Sequence, residues 1–234
     1  MIYMKTFVLC GGEGTRLRPY TYDTPKPMLL VAGKPILWYV IENLRNNGLT
    51  DLILTLGYKH EQISEYVGDG SKLNITAECS IEKEPLGTAG SVFPHKNKIK
   101  KTFVVVMGDH ITNIDMKKMI ESHKKSKAIA TVAVKIHETH IDFGVTKIEK
   151  GRIIDFVEKP TIENYINTGI YIFEPEIFGY ITERDDFAKN VFPRLLEQKK
   201  PINAYIMANH WFDIGRIEDY QKLDDEIKNN KLKL

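Results

Sequence analysis

The sequence predicts an α/β fold in which a mixed, mostly parallel sheet is layered with helices. Apolar β-like runs alternate along the chain with amphipathic segments, as expected for βαβ units. Two alternating segments flank a turn at Lys150 and Gly151 and predict an antiparallel hairpin, so the sheet is mixed. The composition, 42% hydrophobic and 27% charged residues, is typical of globular proteins, and 234 residues suffice for a single domain spanning residues 1–234.

The individual elements follow from apolar spacing and from turn residues. A strand at 6–10 leads into a Gly/Pro-rich loop that extends to Pro27 and is too long to be a simple connector. A helix begins after Pro35 and ends at Gly48. The remaining predictions are strands at 52–56, 73–79, 102–107, 169–173 and 202–207, hairpin arms at 143–148 and 153–157, and helices near 61–67, 189–198 and 217–229.

Charge, cysteine usage and hydropathy exclude several classes of protein. The net charge of +2 is evenly spread, which predicts no binding to nucleic acid or to an acidic membrane. Cys10 and Cys79 lie in apolar or alternating stretches, which favours buried reduced thiols over a disulfide or a zinc site. No apolar run approaches the ~20 residues of a membrane span, and the start of the chain lacks the anatomy of a signal peptide, so we expect a cytoplasmic protein.

The strongest local signal is the segment VLCGGEGTRLRP at 8–19. Three glycines within four positions allow backbone N–H groups to converge on an anion, and Arg16 and Arg18 add positive charge. The segment is not a dinucleotide fingerprint, since Leu17 stands where the third glycine belongs, and it lacks the lysine of a Walker loop. It predicts a phosphate-binding loop, with a tight turn and solvated arginines as the alternative.

Lys26 stands between two prolines in the segment TPKP. Both prolines stiffen the backbone and thereby fix the direction of the ammonium group. A lysine held in this way beside a glycine-rich loop is suited to polyphosphate, whereas the same four residues alone are more often an ordinary surface loop.

Two acidic residues are placed to bind a metal ion. Asp109 follows the apolar run 102–107, at the carboxyl end of a predicted central strand, where open α/β sheets bind ligands. Asp213 is embedded in WFDIG, and a carboxylate among apolar residues needs a partner. Together they could hold Mg²⁺, which prefers one or two carboxylates plus water and phosphate oxygens. A turn residue and a helix cap are the alternative interpretations.

A last group of polar residues surrounds the end of the hairpin. Glu158 and Lys159 follow its second arm, and Asn167 and Thr168 open the next strand. A lysine fixed before a proline can bind a phosphate as a point charge, and the other three are residue types that bind sugar hydroxyls. Each of them alone is also compatible with a structural role.

Taken in order, these segments resemble the sugar-nucleotidyltransferase family, the NDP-sugar pyrophosphorylases. The matching segments are GGEGTRLRPYTYDTPKPMLLVAGKPIL at 11–37, EPLGTAG at 84–90, GDH at 108–110, FGV with GRIIDFVEKP between 143 and 160, NTGIYIFEP at 167–175 and WFDIGRIEDY at 211–220. The resemblance implies a three-layer α/β/α, Rossmann-like nucleotidyltransferase fold. It also implies that an NTP and a sugar 1-phosphate become an NDP-sugar and pyrophosphate. His110 departs from the family, in which Asn or a small residue is common at that position.

The resemblance assigns roles residue by residue. Arg16, Lys26, Asp109 and Asp213 would be catalytic, and the two acids would hold Mg²⁺. The nucleotide would be bound by Leu9, Gly11, Gly12, Gly14, Thr15, Arg16, Lys26, Glu84, Gly87 and Thr88, with Glu84 and Gly87 at the base. The sugar phosphate would be bound by Gly144, Glu158, Lys159, Asn167 and Thr168. About 19 residues follow Gly215, so we expect the short form without the β-helix domain of larger relatives.

The substrates remain open among several alternatives. EPLGTAG is most similar to mannose 1-phosphate and short heptose 1-phosphate guanylyltransferases, and a carboxylate at Glu84 suits the two edge donors of guanine. GTP and mannose 1-phosphate are therefore favoured, while UTP and dTTP stay as alternatives. A non-catalytic nucleotide-sugar-binding subunit is a further hypothesis, although Arg16, Lys26 and both acids are present. The expected partners are the small-molecule substrates, with a homo-oligomer possible.

Overall fold

The computed structural model describes residues 4–229 and 231–232. Its strands are β1 (Lys5–Cys10), β2 (Leu30–Val31), β3 (Lys34–Pro35), β4 (Asp51–Leu56), β5 (Thr76–Ile81), β6 (Phe103–Met107), β7 (His110–Thr112), β8 (Ala130–His140), β9 (Val145–Glu149), β10 (Arg152–Val157), β11 (Thr161–Phe173), β12 (Ile202–Ile206) and β13 (Trp211–Asp213). Its α-helices are α1 (Ile36–Asn46), α2 (His60–Val67), α3 (Gly87–Gly90), α4 (Met116–Ser126), α5 (Phe192–Glu197) and α6 (Ile217–Lys228). None of the helices within the described residues is long and apolar enough to cross a membrane.

A seven-stranded sheet organises the molecule in the order β12-β8-β11-β6-β1-β4-β5. Strand β11 runs antiparallel to both of its neighbours, while β6, β1, β4 and β5 are parallel and β12 is parallel to β8. The hairpin β9–β10 pairs within itself as a separate two-stranded sheet. The prediction of a mixed, mostly parallel sheet is confirmed, and the hairpin itself is present, but the strand that makes the main sheet mixed is β11 and not the hairpin.

Strands β1 and β6 are mostly apolar along their length, and their successive side chains point to opposite faces of the sheet, so each strand contributes to two core layers. On one face, Val8 and Val104 pack with the apolar residues of α1, α2 and α4. On the other face, Phe7 and Val105 pack with the segment that contains α5 and a π-helix at Phe187–Val191. Successive residues of β1 and β6 thus serve opposite layers, which confirms the three-layer α/β/α arrangement.

Several regions differ from the predicted elements. The strand expected at 73–79 begins later, as β5, because Gly70 adopts a φ of 86° and residues 71–73 form a 3-10 turn. The strand expected at 169–173 is longer and begins at Thr161, as β11. The helix expected near 189–198 starts as the π-helix at Phe187–Val191 before it becomes α5.

The prediction also lacked α4 and β8. Helix α4 buries only a narrow apolar stripe, and the second half of β8 is exposed and polar although it stays paired with β11.

Candidate active site

The glycine-rich loop leaves the carboxyl end of β1 at the centre of the sheet. Gly14 has a φ of 63° and directs its carbonyl to the backbone N–H of Leu17 and to the hydroxyl of Thr21, at 3.0 and 2.9 Å. A Cβ at Gly14 would stand 3.1 Å from the Cβ of Lys26. Both the left-handed conformation and this close approach require glycine, so the loop packs directly against the lysine segment.

Lys26 lies almost completely inside the protein. It begins a 3-10 turn at Lys26–Met28, flanked by Pro25 and Pro27, and its side chain is 7% exposed. Its ammonium nitrogen is 2.7 Å from Oδ2 of Asp109 and 3.3 Å from Oδ1 of Asp213. A buried ammonium is costly unless it is paired, and here two carboxylates provide the compensation.

Two short strands bring the carboxylates together. Asp109 follows β6, the parallel neighbour of β1, so it lies at the same edge of the sheet as the glycine loop. Asp213 ends β13, which pairs antiparallel with β7 and places it opposite His110. The side chains of Asp109 and Asp213 are 24% and 35% exposed. The tertiary structure thus unites acids that are far apart in the sequence.

His110 connects these carboxylates to the strand that follows the hairpin. Its Nε2 lies 3.4 Å from Oδ1 of Asp213 and 3.6 Å from Oδ1 of Asp109, and its Nδ1 lies 3.1 Å from the carbonyl oxygen of Thr168. Trp211 donates its indole N–H to the same carbonyl at 2.9 Å.

The charges in this cluster shift the pKa values of His110 and Asp213 in opposite directions. Burial acts to lower the pKa of His110, but the hydrogen bond to Asp213 and the charges of Asp109 and Asp213 outweigh it, so the pKa is raised. The hydrogen bond from His110, assisted by its charge and that of Lys26, holds the pKa of Asp213 far below its usual value.

A cavity of about 260 Å³ lies between the glycine loop and the segment after β5. Eight of the residues expected to bind nucleotide or metal line it: Leu9, Gly11, Gly12, Gly14, Lys26, Gly87, Thr88 and Asp109. A second cavity shares Gly12, Gly14, Lys26 and Asp109 with it and adds Thr15 and Arg16. The two cavities meet at Lys26, which therefore faces both.

Glu84, which the sequence analysis placed at the base, lies outside these cavities. It is exposed, and its carboxylate pairs with Arg184. Glu82 lines the main cavity instead, with Oε2 3.4 Å from the backbone nitrogen of Leu86 and close to the Cα of Gly11. Its other oxygen, Oε1, is buried and has no hydrogen-bond partner within the described residues. The backbone turns just after β5 ends at Ile81, and this turn sends Glu82 inward and Glu84 outward.

The far wall of the cavity comes from a segment that the sequence analysis did not single out. The carbonyl oxygen of Asp185 accepts hydrogen bonds from the backbone N–H groups of Ala89 and Gly90, both at 2.9 Å. Thr88 donates its hydroxyl to Asp186 at 2.9 Å, and Asp186 lines the cavity. The only sequence signal for this wall is a cluster of charged residues before α5, and such clusters are usually solvated.

The residues expected at the sugar phosphate lie in a more open region. Gly144, Glu158 and Lys159 belong to the hairpin or its ends and are exposed. The space beside Gly144 is filled, because a Cβ there would stand 2.7 Å from the ring of Phe156 and 2.8 Å from Oε2 of Glu158. In the described structure, these three residues do not line the cavity that holds Lys26 and Asp109.

Asn167 and Thr168 link this open region to the carboxylates. The side-chain amide of Asn167 donates to the hydroxyl of Tyr171 at 2.8 Å. Thr168 is buried and donates its hydroxyl to the carbonyl of Ala133 at 2.8 Å, while its own carbonyl faces His110. The structure therefore brings Thr168, but not the hairpin residues, close to the metal-binding candidates.

Comparison with known proteins agrees with this geometry. The sequence profile of the family described as "Nucleotidyl transferase" matches residues 5–230, which includes the glycine loop, both acids and the hairpin. The chain belongs to the nucleotidyl transferase family. The recognition of this family from the sequence motifs is confirmed.

Members of this family with different substrates are similar to the chain. It is 34% identical over 97% of its length to a UTP–glucose-1-phosphate uridylyltransferase of Synechocystis, and 35% identical over 96% to the D-glycero-alpha-D-manno-heptose 1-phosphate guanylyltransferase of Aneurinibacillus thermoaerophilus. A crystal structure of HddC from Yersinia pseudotuberculosis, complexed with GMP-PN, is 30% identical, with a TM-score of 0.75 over 96% of this chain and 100% of that one.

The two sequence relatives differ in how much of them the chain matches. It spans 65% of the Synechocystis uridylyltransferase but 99% of the heptose 1-phosphate guanylyltransferase. The names of these two relatives give different nucleotides and different sugars, so the comparison establishes the family and not the substrates.

The residues present in this family member fit a divalent cation. Asp109, which lines the cavity, and Asp213, which shares its ion-pair partner Lys26, supply the hard carboxylate oxygens that Mg²⁺ prefers. Oδ1 of Asp109 is buried and has no hydrogen-bond partner in the described structure, so it is free to serve as a ligand. In the described structure, Asp109 Oδ2 and Asp213 Oδ1 are instead neutralised by Lys26.

Proposed function

We propose that this chain transfers a nucleotidyl group from an NTP, with GTP favoured, to a sugar 1-phosphate, forming an NDP-sugar and pyrophosphate. The observation that carries this proposal is that the glycine loop, Lys26 and Asp109 line one cavity, while Asp213 is held beside it by its ion pair with Lys26. Backbone N–H groups and an ammonium suit a triphosphate, and the carboxylates suit its Mg²⁺. A nicotinamide-dependent dehydrogenase would need the third glycine of the dinucleotide fingerprint, where this chain has Leu17. The family relatives named above are nucleotidyltransferases.

The reaction needs positioning more than proton transfer. A sugar phosphate has a second pKa near ~6, so at neutral pH it is largely a dianion and its oxygen can attack the α-phosphorus directly. The bond from the α-phosphorus to the bridging oxygen breaks as the new bond forms, and pyrophosphate leaves in line. Lys26 and Arg16 stabilise the negative charge on the triphosphate and on the departing pyrophosphate. Mg²⁺ held by Asp109 and Asp213 would neutralise further phosphate charge.

Glu82 is the proposed contact to the base. Its Oε1 is buried without a partner in the described structure, and an unpaired buried carboxylate oxygen is expected to meet a donor when the cavity fills. Guanine presents N1–H and N2–H₂ along one edge, and a carboxylate can accept both. The role that the sequence analysis gave to Glu84 is thereby moved to Glu82, in support of GTP.

UTP is the second candidate nucleotide. The similarity to the Synechocystis uridylyltransferase favours it, and it extends over 97% of this chain. Uracil offers a single imide N–H, which would occupy only one oxygen of Glu82. For the sugar, the similarity to a manno-heptose 1-phosphate enzyme over 99% of that protein favours a sugar of manno configuration, with mannose 1-phosphate as the first substrate to assay.

The test is pyrophosphate release from four NTPs with mannose, manno-heptose and glucose 1-phosphates. We expect GTP to give the highest kcat/KM. Glu82→Gln should lower kcat/KM for GTP by at least tenfold, about 1.4 kcal/mol, because an NH₂ group then faces a guanine donor. Glu84→Gln is the matched control and should change it less than twofold. A parent that prefers UTP, or an unchanged GTP preference in Glu82→Gln, would refute the assignment of the base.

A further inference from the structure

The ammonium of Lys26 occupies two oxygens that a metal ion would also use. It contacts Oδ2 of Asp109 at 2.7 Å and Oδ1 of Asp213 at 3.3 Å, and its side chain is only 7% exposed. Without Lys26, two carboxylates would lie together in a partly buried cluster in which His110 is the one remaining ion-pair partner among the described residues. Lys26 therefore balances the negative charge of Asp109 and Asp213 from within the protein.

A divalent ion and this ammonium compete for the same two carboxylates. Their positive charges would repel at contact distance, and the ammonium already occupies Oδ2 of Asp109 and Oδ1 of Asp213. Binding of a metal ion by both carboxylates is therefore opposed while Lys26 stays in place, and an ammonium that leaves needs another anion because its burial would otherwise be unpaired.

Lys26 has such an alternative within reach of its own side chain. It lines the cavity bounded by Gly11, Gly12 and Glu82 and also the adjoining cavity with Thr15 and Arg16. The stiff backbone between Pro25 and Pro27 fixes where the side chain starts, so the side-chain torsion angles decide whether the ammonium points to the carboxylates or to the glycine loop. A triphosphate bound along that loop would supply the anion.

We propose that Lys26 is a displaceable internal counter-ion that couples metal binding to nucleotide binding. In the free protein it neutralises Asp109 and Asp213 and keeps the affinity for free metal low. When a triphosphate binds, the ammonium moves to the phosphates and both carboxylates become metal ligands. This inference rests on the proposed function for the identity of the displacing anion, whereas its competition with a metal ion does not depend on turnover.

The competition is measured with Mn²⁺ on the full chain without nucleotide, by the loss of the electron paramagnetic resonance signal of the free ion. Lys26→Met should bind Mn²⁺ at least tenfold more tightly than the parent. Arg16→Met is the matched control, because Arg16 is a nearby cation without an ion pair to either acid among the described residues, and it should change the affinity less than threefold. Adding Asp109→Asn to Lys26→Met should remove the tightened site.

Three outcomes would overturn the proposal. They are equal Mn²⁺ affinities of Lys26→Met and the parent, an equal gain in Arg16→Met, and a tightened site that survives in the double variant. Lys26→Gln, with a melting curve for each variant, provides the same comparison if Lys26→Met does not fold. If the parent releases no pyrophosphate from any of the tested substrates, the proposed function is refuted, whereas the Mn²⁺ affinities still test the competition with Lys26. The two failures are therefore distinguishable.

Discussion

The nucleotide side and the sugar side of the candidate site are built in different ways. On the proposed nucleotide side, the glycine loop and Asp109 extend from β1 and β6, adjacent central strands that are covered on both faces, and Lys26 is buried. On the sugar side, the hairpin β9–β10 pairs only with itself, and Ile148, Ile153 and Phe156 are 61% to 63% exposed.

This difference shows which part of the site is held in place by the packing of the folded protein. A central strand is fixed by packing on both faces, so the groups at its end are held before any substrate binds. A two-stranded ribbon has marginal stability of its own, so its position depends on what it contacts. We therefore expect the nucleotide side to be preorganised and the hairpin to be positioned by the sugar phosphate.

The largest expected effect tests whether the nucleotide side performs the chemistry. Asp109→Asn should lower kcat/KM for pyrophosphate release by at least 1,000-fold, about 4 kcal/mol, because it removes a charged metal ligand that acts in the transition state. Asp155→Asn, a carboxylate on the exposed hairpin, should stay within twofold of the parent. Full turnover of Asp109→Asn in EDTA would remove Asp109 from the metal site.

The second prediction compares the packing of the two regions directly. Ile172 in β11 is fully buried and Ile153 in the hairpin is 63% exposed. Ile172→Ala should lower the free energy of unfolding by about 2–5 kcal/mol, whereas Ile153→Ala should change it by about 0.5 kcal/mol or less. Urea denaturation of both variants provides the measurement. A comparable loss in Ile153→Ala would mean that the hairpin is packed against another surface in solution.

The third prediction concerns the tight contact beneath the glycine loop. A Cβ at Gly108 would stand 2.2 Å from Sγ of Cys10, while nothing lies within 4 Å of a Cβ at Gly179. Gly108→Ala should therefore cost about 1–3 kcal/mol of stability by overpacking, and Gly179→Ala should cost much less. Combining Gly108→Ala with Cys10→Ala should recover part of the loss. If thermal melts show no such coupling, the contact with Cys10 is not the cause.

The smallest predicted effect is a pH dependence in the far wall of the nucleotide cavity. The hydrogen bond from Arg194 holds the pKa of the buried Asp185 below its usual value. A lowered pKa stabilises the fold above the unfolded value near ~3.9, and this contribution disappears as the pH falls through the folded value.

Asp185→Asn removes this titration, so its destabilisation, on the order of 1 kcal/mol, should be present at pH 6 and shrink at pH 3. Glu183→Gln, which changes an exposed residue of the same loop, is the matched control and should alter the stability at pH 6 by about 0.5 kcal/mol or less. Urea midpoints at both pH values provide the test. A destabilisation of Asp185→Asn that persists unchanged at pH 3 would show that charge is not its source.

Much of the fold was predictable because its signals are local. The continuous apolar runs of β1 and β6 with their flanking glycines, and the apolar spacing of α1, predicted these elements within one or two residues. The omission of α4 and β8 has the opposite cause, since their short apolar stretches gain stability only from the layers that cover them. The glycine loop and Lys26 could also be identified from a local signal, because neighbouring glycine and proline residues determine the backbone conformation of both segments.

Sequence by itself determined the family, the glycine-rich loop and the placement of the acids at strand ends, because each depends on residue type and near spacing. Only the tertiary structure decided which groups meet. Lys26 and Asp213 are 187 residues apart and form one ion pair, and Asp186 reaches the cavity from 98 residues beyond Thr88. The proposal of Glu82 rather than Glu84 as the base contact also required the fold, since the chain after β5 places Glu82 in the cavity wall and leaves Glu84 exposed. Local propensity cannot encode such contacts, because they arise from the register and order of distant strands.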